Sequence, residues 1–206
     1  MPEHRDGRTT DTRQLILKEA EKLYYAGGYD NINLQVIADH LKITKAALFH
    51  HFKNKQALFF ELLLAIVALM RQMFEEMIDE GDQSTYERLS RIMLRWAREP
   101  TFDLMRFQRE EIAFLDPDQQ RKVGHAWHTG MFQVLERVFH EGMLRGDLQN
   151  HDTTIATYLF LNVCVLLPHV DSPMHAIMGY ENQEQYIAKL LNILMNGLGK
   201  TASSPK

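Results

Sequence analysis

Between residues 42 and 55 the chain carries Lys42, Lys45, Lys53 and Lys55, together with His50 and His51, and no acid. The chain as a whole has a formal net charge of -4, so this cluster is a local exception to an acidic background. Cations at that density attract phosphate, and along a polyanion they gain further by releasing its counterions. Thr44, Ala46 and Phe49 lie among them: a hydroxyl, a small side chain that permits close approach, and a ring. A short helix with a small residue near its start and cations around it suits the major groove of DNA. A merely solvated basic helix has the same composition, so the elements that position these residues must decide.

Those elements read as two short helices and a tight turn. Leu34, Ile37, Ala38 and Leu41 recur at helical spacing, and Asn33 can cap the helix they define. Lys42-Ile43 interrupts the pattern, and Thr44 can cap a second helix from about Lys45 to His51. Ala47, Leu48 and Phe52 can pack inward. The outward positions then fall among Lys45, Ala46, Phe49, His50 and His51.

Residues from about Asp11 to Leu63 resemble the DNA-binding domain of the TetR family of transcriptional repressors. The residues that carry the resemblance are Thr12-Arg13, Ile16-Leu17, Ala20, Leu23, Gly28-Tyr29, Ile37-Ala38, Ile43-Thr44, Ala46, Leu48-Phe49, His51-Phe52, Lys55 and Leu58. The resemblance implies DNA contacts from Thr44, Lys45, Ala46, Phe49, His50, His51 and Lys55. It departs at two places. Lys42 stands where the family has a turn glycine, and a left-handed backbone there would cost lysine roughly 1 kcal/mol. Phe49 stands where the family has tyrosine, so it offers no hydroxyl to a phosphate.

The rest of the chain reads as helices as well. Asp11 can cap a first helix that ends at Gly27-Gly28, and the polar residues 1–9 before it are expected to be a disordered tail. Asn54 caps a long fourth helix from Lys55 to about residue 80, about 39 Å at 1.5 Å per residue. Ser84 and Glu87 form a capping box for a fifth helix running to about Arg98. A sixth is expected over about 102–114, and a seventh from Pro117 to about Glu141, ended by Gly142. An eighth runs from about 153 to 167, and a ninth from about 184 to 198. No strand-like alternation of useful length and no internal repeat occur. The expected fold is all-α with about nine main helices. A DNA-binding domain over 10–54 is joined by the fourth helix to a ligand-binding and dimerisation domain over 55–199, and 200–206 form a second tail.

The eighth and ninth helices are apolar on nearly every face. A helix apolar all round must be buried all round. One side inside the chain and one against a twin would satisfy both helices, and the family resemblance implies the same homodimer. Leu159, Val163, Leu166, Ile187, Leu191 and Leu194 are the expected contact residues. A two-fold dimer would present two recognition helices to a palindromic operator.

The middle helices hold bulky, soft side chains. At helical spacing such residues are more often core than pocket. The resemblance, however, implies a cavity among the fourth to eighth helices. Met70, Met73, Phe74, Trp96, Phe107, Trp127 and Met131 would line it, with Tyr158 and Asn162 as polar anchors. The implied effector is a hydrophobic or amphipathic small molecule.

Other classes are disfavoured by what the chain lacks. No glycine-rich phosphate loop, nucleophile elbow or paired zinc-ligand motif occurs. His125 and His128 share a helix face, but no further ligands converge on them, so neither a metal nor another cofactor is expected. Cys164 is the single cysteine and fits a reducing cytoplasm. No apolar run is expected to reach the roughly 18 residues of a membrane span, because charged or polar residues interrupt the longest candidates. The sequence therefore predicts a ligand-responsive DNA-binding repressor, not an enzyme. A helical interaction module without specific DNA binding is the alternative.

Overall fold

In the computed structural model, residues 6–79, 83–98, 104–165 and 182–197 are described, with isolated positions 167, 177 and 179. Leu166 and the tail at 200–206 lie outside these residues. The described residues form helices joined by turns and loops and contain no strand. The helices are α1 (Asp6–Asn31), α2 (Leu34–His40), α3 (Lys45–His51), α4 (Lys55–Asp79), α5 (Thr85–Arg98) and α6 (Leu104–Arg109). They continue with α7 (Pro117–Trp127), α8 (Gln133–Arg145), α9 (Thr153–Val165) and α10 (Gln183–Asn196).

The chain forms two compact units, one of residues 1–71 with 102–131 and the other of 72–101 with 132–206. This division runs through α4 and not at residues 54/55, the boundary expected from sequence. α4 is continuous across it because no proline or glycine interrupts its 25 residues. By length and composition alone, residues 55–78 could cross a membrane, with mean hydropathy 1.9, contrary to the sequence expectation. In the first unit that apolarity goes into a core, where Leu58, Phe59, Leu62, Leu63 and Ile66 are buried.

The first unit is built on that buried stripe. Ile16, Ala20 and Tyr24 of α1, Ile37 and Ala38 of α2, and Leu48 and Phe52 at α3 join it in one cluster. Each large apolar side chain so buried contributes about 1.5–3 kcal/mol. α1 begins at Asp6, five residues before the expected cap, so residues 6–9 are helical and not part of a tail. Its helical geometry breaks at Gly27 and Gly28, as expected, with Gly28 at φ +73°.

The expected sixth helix is two pieces. α6 stops at Arg109, and a 3-10 turn covers Glu111–Phe114. The break places Glu111, 3% exposed, against α1, where its carboxylate accepts hydrogen bonds from Tyr24 Oη at 2.7 Å and Tyr29 N at 2.9 Å. A straight helix would trade that buried acceptor for regularity.

The expected seventh helix is also divided. α7 starts with Pro117 behind a capping box made by Asp116 and Gln119. A π-helical turn, His128–Phe132, separates it from α8. α8 passes through Gly142 and ends at Gly146, φ +79°. Gly142 serves packing instead of termination: a Cβ there would meet the Thr85 side chain and lie 3.0 Å from Leu148 Cδ1.

In the second unit α8 packs against α9, and α5 against α8 and α10. Leu89, Ile92 and Met93 of α5, Leu135 and Val138 of α8, and Phe160 and Cys164 of α9 are buried. The α5 N-terminus is tied across the chain. Asp147 Oδ2 accepts from Thr85 N at 3.0 Å and from Thr85 Oγ1 at 2.8 Å. These bonds, led by the one from the Thr85 backbone, hold the Asp147 carboxyl below its usual range.

Candidate nucleic-acid interface

Local chemistry fixes the α2–turn–α3 geometry. Asn33 Oδ1 accepts from Gln35 N at 2.9 Å and Val36 N at 3.3 Å, satisfying two orphan donors at the start of α2. Lys42 then takes φ +54°, the one non-glycine residue with positive φ among those described. Ile43 N donates to Ala38 O at 3.0 Å and closes the turn. Thr44 Oγ1 accepts from Ala47 N at 3.1 Å and starts α3. Leu48 and Phe52 face the core, and Ala47 is half-buried.

What remains on the outside of α3 is Thr44, Lys45, Ala46, Phe49 and His50, all exposed, with Phe49 at 42%. His51 is half-buried beside His50, ring centres 5.6 Å apart. Burial first, then the charges of His50 and Arg13, hold the His51 imidazole below its usual pKa. Arg13 of α1 lies over the Phe52 ring at 5.0 Å and pairs with Glu61 of α4, pinning the end of α3 between those helices. An α-helix end displaying cations, a small residue and a ring, on a stapled base, has the form of a recognition helix.

Lys55 is placed differently from Lys45 of α3. Its ammonium lies 4.3 Å from the centre of the Tyr29 ring and donates to Asp30 O at 3.3 Å. Desolvation lowers its pKa, opposed by the Asp30 charge. Nothing in the sequence links Tyr29 or Asp30 to Lys55. Twenty-five residues separate Asp30 from Lys55, and no local pattern signals such a pair.

The expected ligand lining is divided between the units. Met70, Phe107, Trp127 and Met131 belong to the first, and Met73, Phe74, Trp96, Tyr158 and Asn162 to the second. Phe74 and Met131 are fully buried, and Trp96 and Phe107 nearly so. Phe74 and Trp96 stack with centres 6.2 Å apart. Tyr158 is 56% exposed, and Asn162 is exposed, with its Nδ2 donating to Tyr158 O in its own helix. The second unit also has an open cavity of about 600 Å³, lined by Phe139, Met143, Leu148, Ile155, Leu159 and Leu194 among others. It was not foreseen from sequence.

The expected dimer residues separate sharply. Leu159 is 54% exposed, and Val163 and Leu194 are half-buried. Ile187 and Leu191 are fully buried within the chain, so they are core residues and not available to a second copy. The apolar surface of these helices is carried instead by Ile155, Tyr158 and Leu159 of α9 and Ile193 of α10. Among the described residues no group of three or more His, Cys, Asp or Glu could hold a metal ion.

The fold and the α2–α3 geometry define a helix-turn-helix protein. Residues 16–62 match the family described as bacterial regulatory proteins, tetR family, and the similarity to that family is confined to this domain. An HTH-type transcriptional repressor of Mycobacterium tuberculosis is 32% identical over 62 residues, 30% of this chain and 33% of the repressor. The match thus spans about a third of that relative's length. Two solved structures are similar over nearly the whole chain. FadR from Bacillus subtilis in complex with stearoyl-CoA has a TM-score of 0.66 and 16% identity, over 90% of this chain and 99% of that one. AibR in complex with isovaleryl coenzyme A and operator DNA has a TM-score of 0.62 and 24% identity, over 89% and 97%. At these identities the likeness establishes a common fold.

Proposed function

We propose that this chain is a cytoplasmic, homodimeric transcriptional repressor that binds double-stranded operator DNA and is released from it by a small effector. One observation carries the reading. The α2–turn–α3 unit matched by the family displays Lys45, Ala46, Phe49 and His50 outward on a capped, core-anchored helix. Lys45 and Ala46, at the start of α3, are assigned to base edges, and His50, His51 and Lys55 to phosphates. The exposed apolar face of α9 with Ile193 supports pairing with a second copy, which makes the operator two-fold symmetric.

The effector is assigned to the hydrophobic or amphipathic small molecules, and acyl-coenzyme A thioesters are the first class to test. The ligands named for FadR and AibR support that choice. An effector lowers DNA affinity only by the ratio of its affinities for the DNA-competent and DNA-incompetent states. Such coupling is typically worth about 1–3 kcal/mol, and operator DNA must weaken the effector by the same factor. The test is to titrate stearoyl-CoA and isovaleryl-CoA into the protein with and without a duplex selected by the protein. A thioester whose binding weakens when the duplex is present supports the reading. Equal binding in both arms removes acyl thioesters as effectors while leaving DNA recognition to stand on its own tests.

A further inference from the structure

Tyr29 sits at the end of α1, directly after the break at Gly28, and three elements meet on it. Its ring stacks on Phe114 of the 3-10 turn, centres 4.1 Å apart and planes 16° apart. The edge of Phe59 from α4 packs on it at 4.8 Å. The Lys55 ammonium lies 4.3 Å from the ring centre. Its backbone N–H donates to Glu111 Oε1, also of the 3-10 turn, at 2.9 Å.

Glu111 is itself held firmly. It is 3% exposed, accepts from Tyr24 Oη at 2.7 Å, and faces Arg106 Nε at 3.1 Å. Gly28 is left-handed at φ +73°, and a Cβ there would collide with the Glu111 carboxylate. Chain path and carboxylate are therefore fitted to each other. Burial, and then the bond to Glu111, push the Tyr24 hydroxyl pKa up, so it stays a donor across the physiological range.

We infer that Tyr29 is a positioning residue for Lys55 in DNA binding, and that Glu111 and Phe114 hold Tyr29 in that role. This rests on the DNA-binding reading above. A lysine carries three N–H donors on a flexible stem. Here the Asp30 carbonyl takes one donor and the ring faces the charge, so the ammonium is preorganised at the first residue of α4. Preorganisation lowers the entropy lost when a phosphate is engaged. The two residues that fix the ring lie about fifty residues beyond the 16–62 stretch that the family describes. DNA affinity is then set partly from outside the helix-turn-helix domain, by a turn that any rearrangement of the 104–114 segment would disturb.

The experiment is a double-mutant cycle on the full chain, using a duplex that the wild-type protein selects from a random pool, with affinity read against salt. Tyr29→Leu should weaken binding about 2- to 5-fold, the range of an exposed cation–π contact. It should reduce the salt slope as Lys55→Ala does, and add little on top of Lys55→Ala. Tyr29→Phe, which keeps the ring, should bind as wild type. Should Tyr29→Leu lose its helical circular dichroism, Phe114→Ala carries the same cycle, because Phe114 is 40% exposed. Losses additive with Lys55→Ala, or an unchanged salt slope, would overturn the inference while wild-type binding upheld the function. A wild-type protein that selects no duplex would overturn both.

Discussion

Thr44 Oγ1 accepts a hydrogen bond from the backbone N–H of Ala47 at 3.1 Å, and this contact starts the helix that carries the candidate DNA-reading surface. Thr44→Ala should cost about 1 kcal/mol of stability, the usual worth of an N-cap, whereas Thr44→Ser should cost much less. Urea unfolding of the three proteins checks this. Equal stability of all three would mean that the cap contributes nothing to α3.

Lys42 adopts φ +54° at the turn, where an L side chain is strained. Lys42→Gly should relieve that strain and raise stability by up to about 1 kcal/mol. Lys42→Ala, which keeps a Cβ, should not. The comparison separates backbone relief from loss of a positive charge, and it is read from thermal midpoints at matched salt.

The His51 imidazole has a lowered pKa in the folded protein through burial, His50 and Arg13. Below the ordinary histidine value of about 6.5 the unfolded chain binds this proton more readily than the folded one, so stability falls as pH drops through that value. His51→Gln should flatten that part of the stability profile between about pH 7 and pH 5.5. DNA acts in the opposite direction, since a phosphate beside the ring raises its pKa. Wild-type binding should therefore tighten as pH falls through the same range, with proton uptake measurable by calorimetry in two buffers.

Leu159 is 54% exposed on α9, whereas Leu191 of α10 is fully buried. Leu159→Glu should give a folded protein that sediments as a monomer and binds DNA poorly. Leu191→Glu should unfold the second unit, because it places a charge in the core. A Leu159→Glu protein that remains dimeric would move the contact between copies to another surface.

These contrasts mark what the sequence could and could not disclose. The caps at Asn33, Thr44 and Asn54 and the apolar spacing of α2 were legible, because each acts on residues within four positions of itself. The split of the expected sixth helix was not, because its cause is the approach of Glu111 to Tyr24 and Tyr29, more than eighty residues away in the chain. Gly142 and Gly146 carry the same local signal for a helix end, and only the Thr85 side chain against Gly142 decides between them. On α10 the apolar residues fill a broad arc beside a polar face of Gln185, Lys189, Asn192 and Asn196, and within that arc the sequence does not tell that Leu191 faces inward and Ile193 outward. The cluster of Lys42, Lys45, Lys53 and Lys55 is legible in the sequence, whereas the seat of Lys55 on Tyr29 depends on the fold.

Whether α3 reads DNA is tested most directly by selecting duplexes from a random pool with the wild-type, Lys45→Ala and Lys55→Ala proteins and following affinity against salt. The wild-type protein should enrich a two-fold symmetric sequence, with log affinity falling linearly in log salt. Lys45→Ala should change the enriched sequence. Lys55→Ala should keep the sequence, weaken binding to every duplex, and reduce the slope by about one unit. Absence of any enriched sequence, or a Lys45→Ala protein that enriches the same sequence with undiminished affinity, would contradict the assignment of α3 as the recognition helix.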